Sequence, residues 1–135
     1  MGTLPEFLQP RLRLFLSADI VGSTALKQSP REGVKNSLEW YTIIQGFYAE
    51  AQAQLRATWD VNAKAVTYFD PGPSPSLWKV IGDEITFTKV LTDHRQVAFT
   101  LACWCEAMEQ VRKFVRRSPS GRLDLKCAAW TAGFL

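Results

Sequence analysis

The sequence predicts an α+β domain in which the elements follow the order β-α-β-β-α-β. Two long segments carry apolar residues at steps of three and four, which is the spacing of an amphipathic helix. Four shorter segments alternate apolar and polar residues or are rich in β-branched residues, as strands are, and a Gly-Asp pair joins two of them. The 135 residues have the length of one domain, assigned to residues 1–135, which can bury a core without disulfides or a structural metal.

The first strand and the first helix occupy the N-terminal half. Residues 11–20 begin by alternating leucines with arginines and then become apolar on both faces, which predicts a central strand. Ser29, Pro30 and Glu32 form a capping box with proline at the first helical position, and they predict a helix that reaches about Ala57. Its apolar stripe consists of Val34, Leu38, Tyr41, Ile44, Tyr48, Ala51 and Leu55.

A predicted β-hairpin follows an irregular segment. Proline and glycine interrupt residues 58–75 at a density that breaks regular structure. Ser76–Ile81 and Glu84–Val90 are predicted strands, and Gly82-Asp83 is the tight turn between them. Two strands with so short a connection are expected to pair with each other.

The second helix is predicted to begin at Asp93, which forms another capping signal with Gln96. A Ser-Pro-Ser-Gly run at 118–121 ends this helix, and the alternation across 123–129 predicts the last strand. The apolar stripe of the second helix consists of Val97, Leu101, Cys105, Met108, Val111 and Val115.

This element order is the split βαβ arrangement of ferredoxin-like folds. Right-handed crossovers then place both helices on one face of a four-stranded antiparallel sheet, with the third strand between the first and the second. The first strand ends at Asp19 and the third begins at Asp83. Since neighbouring antiparallel strands put the end of one beside the start of the other, Asp19 and Asp83 are predicted to lie side by side.

Two ionised carboxylates at this range repel each other, so one pKa should rise unless a cation neutralises them. Mg²⁺ and Mn²⁺ prefer oxygen ligands of this kind. The turn Val21-Gly22-Ser23-Thr24 offers a run of backbone N–H groups and two hydroxyls, which suits phosphate oxygens. Lys79, on the second strand, is placed to reach a phosphate or a base carbonyl. The sequence therefore predicts a metal site with a phosphate beside it.

Each of these residues also has a purely structural interpretation. A lone Asp that ends a strand is usually a turn or cap residue, and Gly82-Asp83 alone would be an ordinary hairpin turn. It is the predicted proximity of the two aspartates that favours a metal site. Glu84 is predicted to point to the opposite face and to be solvated. Tyr41 and Tyr48 are predicted core residues, and His94 a surface residue.

Composition excludes several other classes. The three cysteines and single histidine lack the spacing of a zinc site, and the cysteines are predicted to be buried in a reducing compartment. The net charge of +3 suits an anionic ligand but is too diffuse to indicate nucleic acid. No apolar run approaches the roughly 18 residues of a membrane helix, and no signal peptide is evident, which favours a cytoplasmic protein without membrane partners.

At these residues the chain resembles the class III nucleotidyl cyclases, the catalytic domain of adenylate and guanylate cyclases. FLSADIVGSTAL is similar to the first metal motif of that family, KVIGDEITF to the second, and CAAWTAGF, more weakly, to the strand after the second helix. The resemblance covers most of residues 11–134. It implies a head-to-tail homodimer and two Mg²⁺ or Mn²⁺ ions per site. The implied site residues are Asp19, Asp83 and the Ile20 carbonyl for metal, Val21, Gly22, Ser23 and Thr24 for the triphosphate, and Lys79 for the base.

The chain also departs from the family pattern. A second half of the family domain supplies the groups that stabilise the transition state, and the chain stops at Leu135 before them, so residues 1–135 alone are predicted to be inactive. LWKVIGDEITF is most similar to bacterial anti-phage pyrimidine cyclases, which implies UTP or CTP as substrate and cyclic UMP or cyclic CMP as product. An adenylate cyclase acting on ATP is the alternative. The remaining alternatives are a pseudocyclase and a catalytically silent module that binds nucleotide or RNA. The predicted strand DEITFTKV lacks the several aromatic residues of an RNA-binding strand, which disfavours RNA binding.

Overall fold

The computed structural model describes residues 11–22, 33–118 and 122–134. The described elements are β1 (Arg11–Val21), α1 (Gly33–Ala65), β2 (Ser76–Ile81), β3 (Glu84–Leu91), α2 (Arg95–Arg116) and β4 (Asp124–Phe134). The predicted β-α-β-β-α-β order is therefore confirmed, as are the bounds of the hairpin strands to within one residue. Neither described helix is long and apolar enough to cross a membrane.

The strands form one antiparallel sheet in the order β2-β3-β1-β4. As predicted, β3 lies between β1 and β2. Leu16 of β1, for example, lies opposite Phe87 of β3 on one side and Ala129 of β4 on the other. A strand paired on both sides within a covered sheet has to be apolar, which explains why the alternation of β1 gives way to a continuous apolar run.

Both helices cover one face of this sheet, also as predicted. The core contains alternate residues of β1 from Leu14 to Ile20, which point towards the helices and are almost completely buried. The helices contribute Phe47, Ala51, Leu55, Trp104, Ala107, Met108, Val111 and Val115. A large apolar side chain buried in this way stabilises the fold by about 1.5–3 kcal/mol. The other face, termed here the open face because neither described helix packs on it, carries Phe15, Ser17 and Asp19 of β1 and their cross-strand partners. Its central residues, Phe15, Ser17 and Thr86, are nevertheless buried.

The first helix differs from the prediction at its C-terminal end. It continues to Ala65, because Trp59 keeps its apolar contact with the rest of the protein beyond the predicted end at Ala57. From Leu38 onwards, the predicted stripe is only partly buried: Leu38 and Tyr41 are 65% and 64% exposed, whereas Ile44 is buried. The capping box at Ser29 to Glu32 lies outside the described residues.

The start of α2 is close to the predicted position but is capped differently. A carboxylate oxygen of Asp93 accepts the N–H of Arg95 at 2.9 Å, while the side chain of Gln96 accepts the N–H of Thr92 at 2.9 Å instead of that of Asp93. Gln96 is buried and also donates to the carbonyl of Asp70 at 2.9 Å. It therefore ties the irregular segment before β2 to the start of the helix.

Two of the three cysteines differ from the prediction. Cys103 is buried, but Cys105 and Cys127 are exposed. Both line a groove of about 530 Å³ between α2 and the edge strand β4. The reason is the position of β4 at the edge of the sheet, where neither helix covers its side chains completely. The last strand also continues to Phe134, five residues beyond the predicted alternation.

A buried hydroxyl on α2 yields a first prediction. Thr100 is fully buried, and its Oγ1 has no hydrogen-bond partner. Thr100→Val replaces this hydroxyl with a methyl group of similar size, so the free energy of unfolding should stay unchanged or rise by up to about 1 kcal/mol in urea denaturation. Thr131→Val, at an exposed site on β4, is the matched control. A loss of stability specific to Thr100→Val would contradict the prediction.

Candidate metal and nucleotide site

Asp19 and Asp83 lie on adjoining segments at one end of the sheet. The N–H of Ile20, next to Asp19, donates a hydrogen bond of 3.1 Å to the carbonyl of Asp83. Gly82 has a φ of +57°, which allows the two-residue turn that places Asp83 immediately before β3. The topology thus brings together the two segments that are 64 positions apart in the sequence.

The carboxylate of Asp19 is in an unfavourable environment when it is ionised. Burial raises its pKa first, and the negative charges of Glu84 and Asp83 raise it further, while Lys126 on the opposite strand lowers it. The Oδ1 atom of Asp19 is buried and has no hydrogen-bond partner. A cation bound to this oxygen would both supply the missing partner and offset the repulsion from the neighbouring carboxylates.

The position of Glu84 corrects the sequence interpretation. Glu84 is the cross-strand partner of Asp19, and such partners share one face of a sheet. It is half-buried, not solvated, and accepts a hydrogen bond of 3.4 Å from the hydroxyl of Thr86. The interpretation was wrong because the turn ends at Asp83, so the register sets Glu84, not Asp83, directly opposite Asp19.

The donors present fit a hard divalent cation. Within residues 11–22, 33–118 and 122–134, no group of three or more His, Cys, Asp or Glu side chains is arranged to hold a metal. Asp19 and Asp83 therefore offer two carboxylates, with the carbonyl of Ile20 next to them in sequence. Mg²⁺ is commonly held by one or two carboxylates, with water and substrate phosphates completing its coordination. The orphaned oxygen of Asp19 and the all-oxygen donor set both match that pattern.

The turn after β1 is described only in part. Gly22 has a φ of +94°, and a Cβ placed on it would come within 2.5 Å of the carbonyl oxygen of Arg122. This glycine therefore meets two requirements at once, a left-handed backbone and a close approach to the segment before β4. Val21 is exposed beside it. Ser23 and Thr24, the other predicted phosphate ligands, lie outside the described residues.

Lys79 lies on the same face as Asp19. It pairs with Thr86 of β3, which pairs with Ser17 of β1, so all three share the open face with Asp19. Strand geometry separates the Cα atoms of Lys79 and Asp19 by about 10 Å across the sheet and roughly 7 Å along it. The Lys79 ammonium lies 4.5 Å from the ring centroid of Trp78. A single nucleotide is long enough to reach from Asp19 to this part of β2.

Tyr48 is a residue of this region that sequence reasoning assigned to the core. Its hydroxyl donates a hydrogen bond to the carbonyl of Gly82, and so connects α1 to the hairpin turn. Burial, and then the negative charge of Asp83, raise the pKa of this hydroxyl. The signal that was available is the presence of Tyr instead of Phe on a packed stripe, since a partly buried phenol usually has a hydrogen-bond partner.

This contact gives a second prediction. Tyr48→Phe removes the hydrogen bond that holds the turn next to Asp83, so the free energy of unfolding should fall by about 1 kcal/mol and divalent-metal affinity should weaken as the turn loosens. Denaturation and calorimetric metal titration measure the two effects. Tyr41→Phe is the control, because Tyr41 is exposed and its variant should behave like the wild type. Equal behaviour of the two variants would contradict the role given to Tyr48.

The chain matches known proteins in structure but not in sequence. No family model matches the chain, and no curated protein matches it. Solved structures do match. The adenylyl cyclase CyaB from P. aeruginosa superposes with a TM-score of 0.57 at 10% identity, over 93% of this chain and 58% of that one. A dimeric guanylyl cyclase domain of the RhoGC fusion protein from Blastocladiella emersonii gives 0.54 at 11% identity, over 93% and 59%.

The chain has the fold of an adenylyl or guanylyl cyclase domain. A bacterial light-regulated adenylyl cyclase agrees, with a TM-score of 0.53 at 13% identity over 94% of this chain. This confirms the predicted α+β fold, its four-stranded antiparallel sheet and the placement of its helices. The chain spans less than two thirds of these domains, between 56% and 59% of their lengths.

Proposed function

We propose that this chain is the metal- and phosphate-binding part of a nucleotidyl cyclase, which converts a nucleoside triphosphate to a 3′,5′-cyclic nucleotide and pyrophosphate. The observation that carries the proposal is the buried, unpartnered Oδ1 of Asp19 beside Asp83 at the end of the central strand. The fold shared with solved adenylyl and guanylyl cyclase domains supports the same activity.

Asp19, Asp83 and the carbonyl of Ile20 would hold two Mg²⁺ or Mn²⁺ ions. When bound, such ions supply charge neutralisation at the phosphates and lower the pKa of an attacking hydroxyl. The protein would orient the triphosphate through the backbone N–H groups of the turn that begins at Val21 and Gly22, and through Ser23 and Thr24. Electrostatic preorganisation of this kind is the main contribution that a protein makes to phosphoryl transfer.

Lys79 would bind the base. It shares the open face with Asp19 at a separation that one nucleotide spans, and its ammonium can donate to a carbonyl oxygen of a base. We infer UTP or CTP as the substrate, because LWKVIGDEITF resembles the anti-phage pyrimidine cyclases more than other members of the family. A cytoplasmic anti-phage signal, cyclic UMP or cyclic CMP, follows from the same resemblance. ATP is the second candidate, which the two adenylyl cyclases among the structural neighbours favour.

A second copy of the chain would complete the site. The open face exposes large apolar side chains at Trp78, Ile81 and Trp130, and Ile81 is 62% exposed. Several large apolar side chains exposed on one face commonly mark a protein–protein interface. A homodimer through this face would cover these residues and place one copy's open face against the metal site of the other. One of the structural neighbours is a dimeric guanylyl cyclase domain.

A product assay tests this function. The full-length protein is incubated with ATP, GTP, CTP or UTP and Mn²⁺, and the products are identified by mass spectrometry. A 3′,5′-cyclic nucleotide is expected from a pyrimidine triphosphate, and none from the Asp83→Asn variant. Formation of cyclic AMP alone would show that the enzyme is an adenylate cyclase and not a pyrimidine cyclase. If the folded protein formed no cyclic product from any of the four nucleoside triphosphates, the proposed cyclase activity would be wrong. The chain would then be a catalytically silent nucleotide-binding module. Residues 1–135 alone are expected to be inactive in the same assay.

A further inference from the structure

A second pocket lies on the open face, at the end of β1 that is remote from Asp19. It has a volume of about 290 Å³ and is lined by Arg13, Phe15, Trp78 and Thr88. Phe15 precedes Asp19 by four positions, which places the pocket about 13 Å along the strand from the candidate metal site. Among the described residues, neither Asp19 and Asp83 nor Val21 and Gly22 contribute to its lining.

The floor of this pocket is aromatic and held in place. The ring centroids of Phe15 and Trp78 are 4.8 Å apart with the planes tilted by 56°, and Trp130 stacks on Phe15 at 5.5 Å and 13°. Phe15 is only 3% exposed, whereas Trp78 is 50% exposed. An exposed indole supported from behind is a surface on which planar aromatic ligands stack. The nearby ammonium of Lys79 adds positive charge at its edge.

The pocket also contains polar groups that call for a ligand with an acceptor. Thr88 is only 8% exposed, and its Oγ1 has no hydrogen-bond partner. A buried hydroxyl without a partner is unusual in folded proteins and is costly until something bonds to it. Among the described residues, no carboxylate forms an ion pair with Arg13. Thr88, with its buried hydroxyl, and Arg13, which has no ion pair among the described residues, therefore line the same pocket.

A second cavity of about 280 Å³ adjoins the first and shares Arg13 and Thr88 with it. Its lining is mostly apolar but includes the hydroxyl of Ser76 and the buried Lys89, whose ammonium donates to the carbonyl of Pro73 at 2.7 Å. The aromatic floor is thus on one side of Arg13 and Thr88, and a basic, hydroxyl-lined space is on the other. This arrangement suits a ligand whose ring and negative charge are at opposite ends.

We propose that this pocket binds a planar aromatic anion, such as a nucleoside monophosphate or an aromatic carboxylate. The ring stacks on Trp78, and the anionic group bonds to Arg13 and to the hydroxyl of Thr88. No divalent metal takes part, so binding here does not depend on Asp19 and Asp83. Because Trp78 also belongs to the proposed dimer interface, the pocket is accessible in the monomer. Two sources share this chemistry, a nucleotide and an aromatic acid, and separate titrations distinguish them.

The test is an NMR titration of the ¹⁵N-labelled protein with AMP in the presence of EDTA. Anthranilate and inorganic phosphate are titrated in parallel, at a protein concentration where sedimentation shows a monomer. Saturable shifts are expected around Arg13, Phe15 and Thr88, with phosphate at least about tenfold weaker than the better aromatic ligand, because stacking contributes to affinity. If phosphate bound as tightly as both aromatic ligands, or if no ligand gave saturable shifts there, the proposal would fail.

Variants of the pocket provide the second arm. Thr88→Val is expected to weaken binding of the better ligand about fivefold and Arg13→Gln about tenfold, because each removes one hydrogen-bonding group. Thr131→Val and Arg117→Gln make the same changes at exposed sites elsewhere and should bind like the wild type. Wild-type affinity in both pocket variants, with their spectra showing an intact fold, would overturn the site. Asp83→Asn should leave binding to this pocket unchanged. Failure of the pocket proposal can therefore be distinguished from failure of the cyclase proposal.

Discussion

Asp19→Asn should make the metal-free protein more stable and at the same time abolish its stabilisation by Mn²⁺ and nucleotide. The buried Oδ1 of Asp19 has no partner, and Glu84 and Asp83 place negative charge beside it. Removing the charge relieves this repulsion, so the free energy of unfolding without metal should rise by roughly 1 kcal/mol. Saturating the wild type at a hundred times the dissociation constant should add about 2.7 kcal/mol, and the variant should gain nothing.

The pH dependence of the same variant has a definite sign. Burial and the neighbouring carboxylates raise the pKa of Asp19 in the folded protein above its usual value of 3.8. The folded state therefore favours the protonated acid, and the contribution of Asp19 to stability is present below pH 3.8 and is lost as the pH rises through the higher pKa of the folded state. Asp19→Asn should lack this decline when denaturation is measured without metal from pH 3 to pH 8.

Two control variants test whether these effects are specific to the candidate metal site. Asp83→Asn should also abolish the stabilisation by Mn²⁺ and nucleotide, because it removes the second carboxylate of the site. Asp60→Asn, an exposed site on α1, should change neither the metal-free stability nor the metal response. If Mn²⁺ and nucleotide stabilised Asp19→Asn as much as the wild type, Asp19 would not be a metal ligand.

Gly22→Ala should cause the largest loss of stability among single substitutions near the site, about 3 kcal/mol. The φ of +94° is unfavourable for any residue with a Cβ, and that Cβ would meet the backbone carbonyl of Arg122 at 2.5 Å. Because this neighbour is backbone, the segment before β4 or the turn after β1 has to move. Movement of the turn should also weaken phosphate binding. Urea denaturation and nucleotide titration measure the two consequences.

Gly82→Ala is the matched control for this substitution. Gly82 also has a positive φ, +57°, but no atom lies within 4 Å of a Cβ placed there. Only the left-handed backbone is then penalised, so the expected loss is about 1 kcal/mol. The difference between the two variants measures the close approach of the turn to Arg122. Equal losses would show that the contact between these two segments does not restrict Gly22.

The aromatic contacts on the open face could not be predicted from the sequence. Phe15, Trp78 and Trp130 come from three strands, and only the pairing register brings their rings into contact. Nothing in the local sequence around any of them indicates the other two. The same holds for Tyr48, whose partner Gly82 is 34 positions away. Contacts of this kind depend on the sum of helix placement and strand register, which a residue pattern does not contain.

The sequence by itself determined the order of the elements, the hairpin and the meeting of Asp19 with Asp83. Periodicity and turn residues are local, and the handedness of crossovers leaves few topologies for a β-α-β-β-α-β chain, so the end of β1 has to lie beside the start of β3. Only the tertiary structure decided that Glu84 lies opposite Asp19, that an oxygen of Asp19 is buried without a partner, and that Tyr48 holds the turn. Those features depend on the exact register of β1 against β3 and on the exclusion of solvent, and both arise only when the whole sheet and its helices have packed.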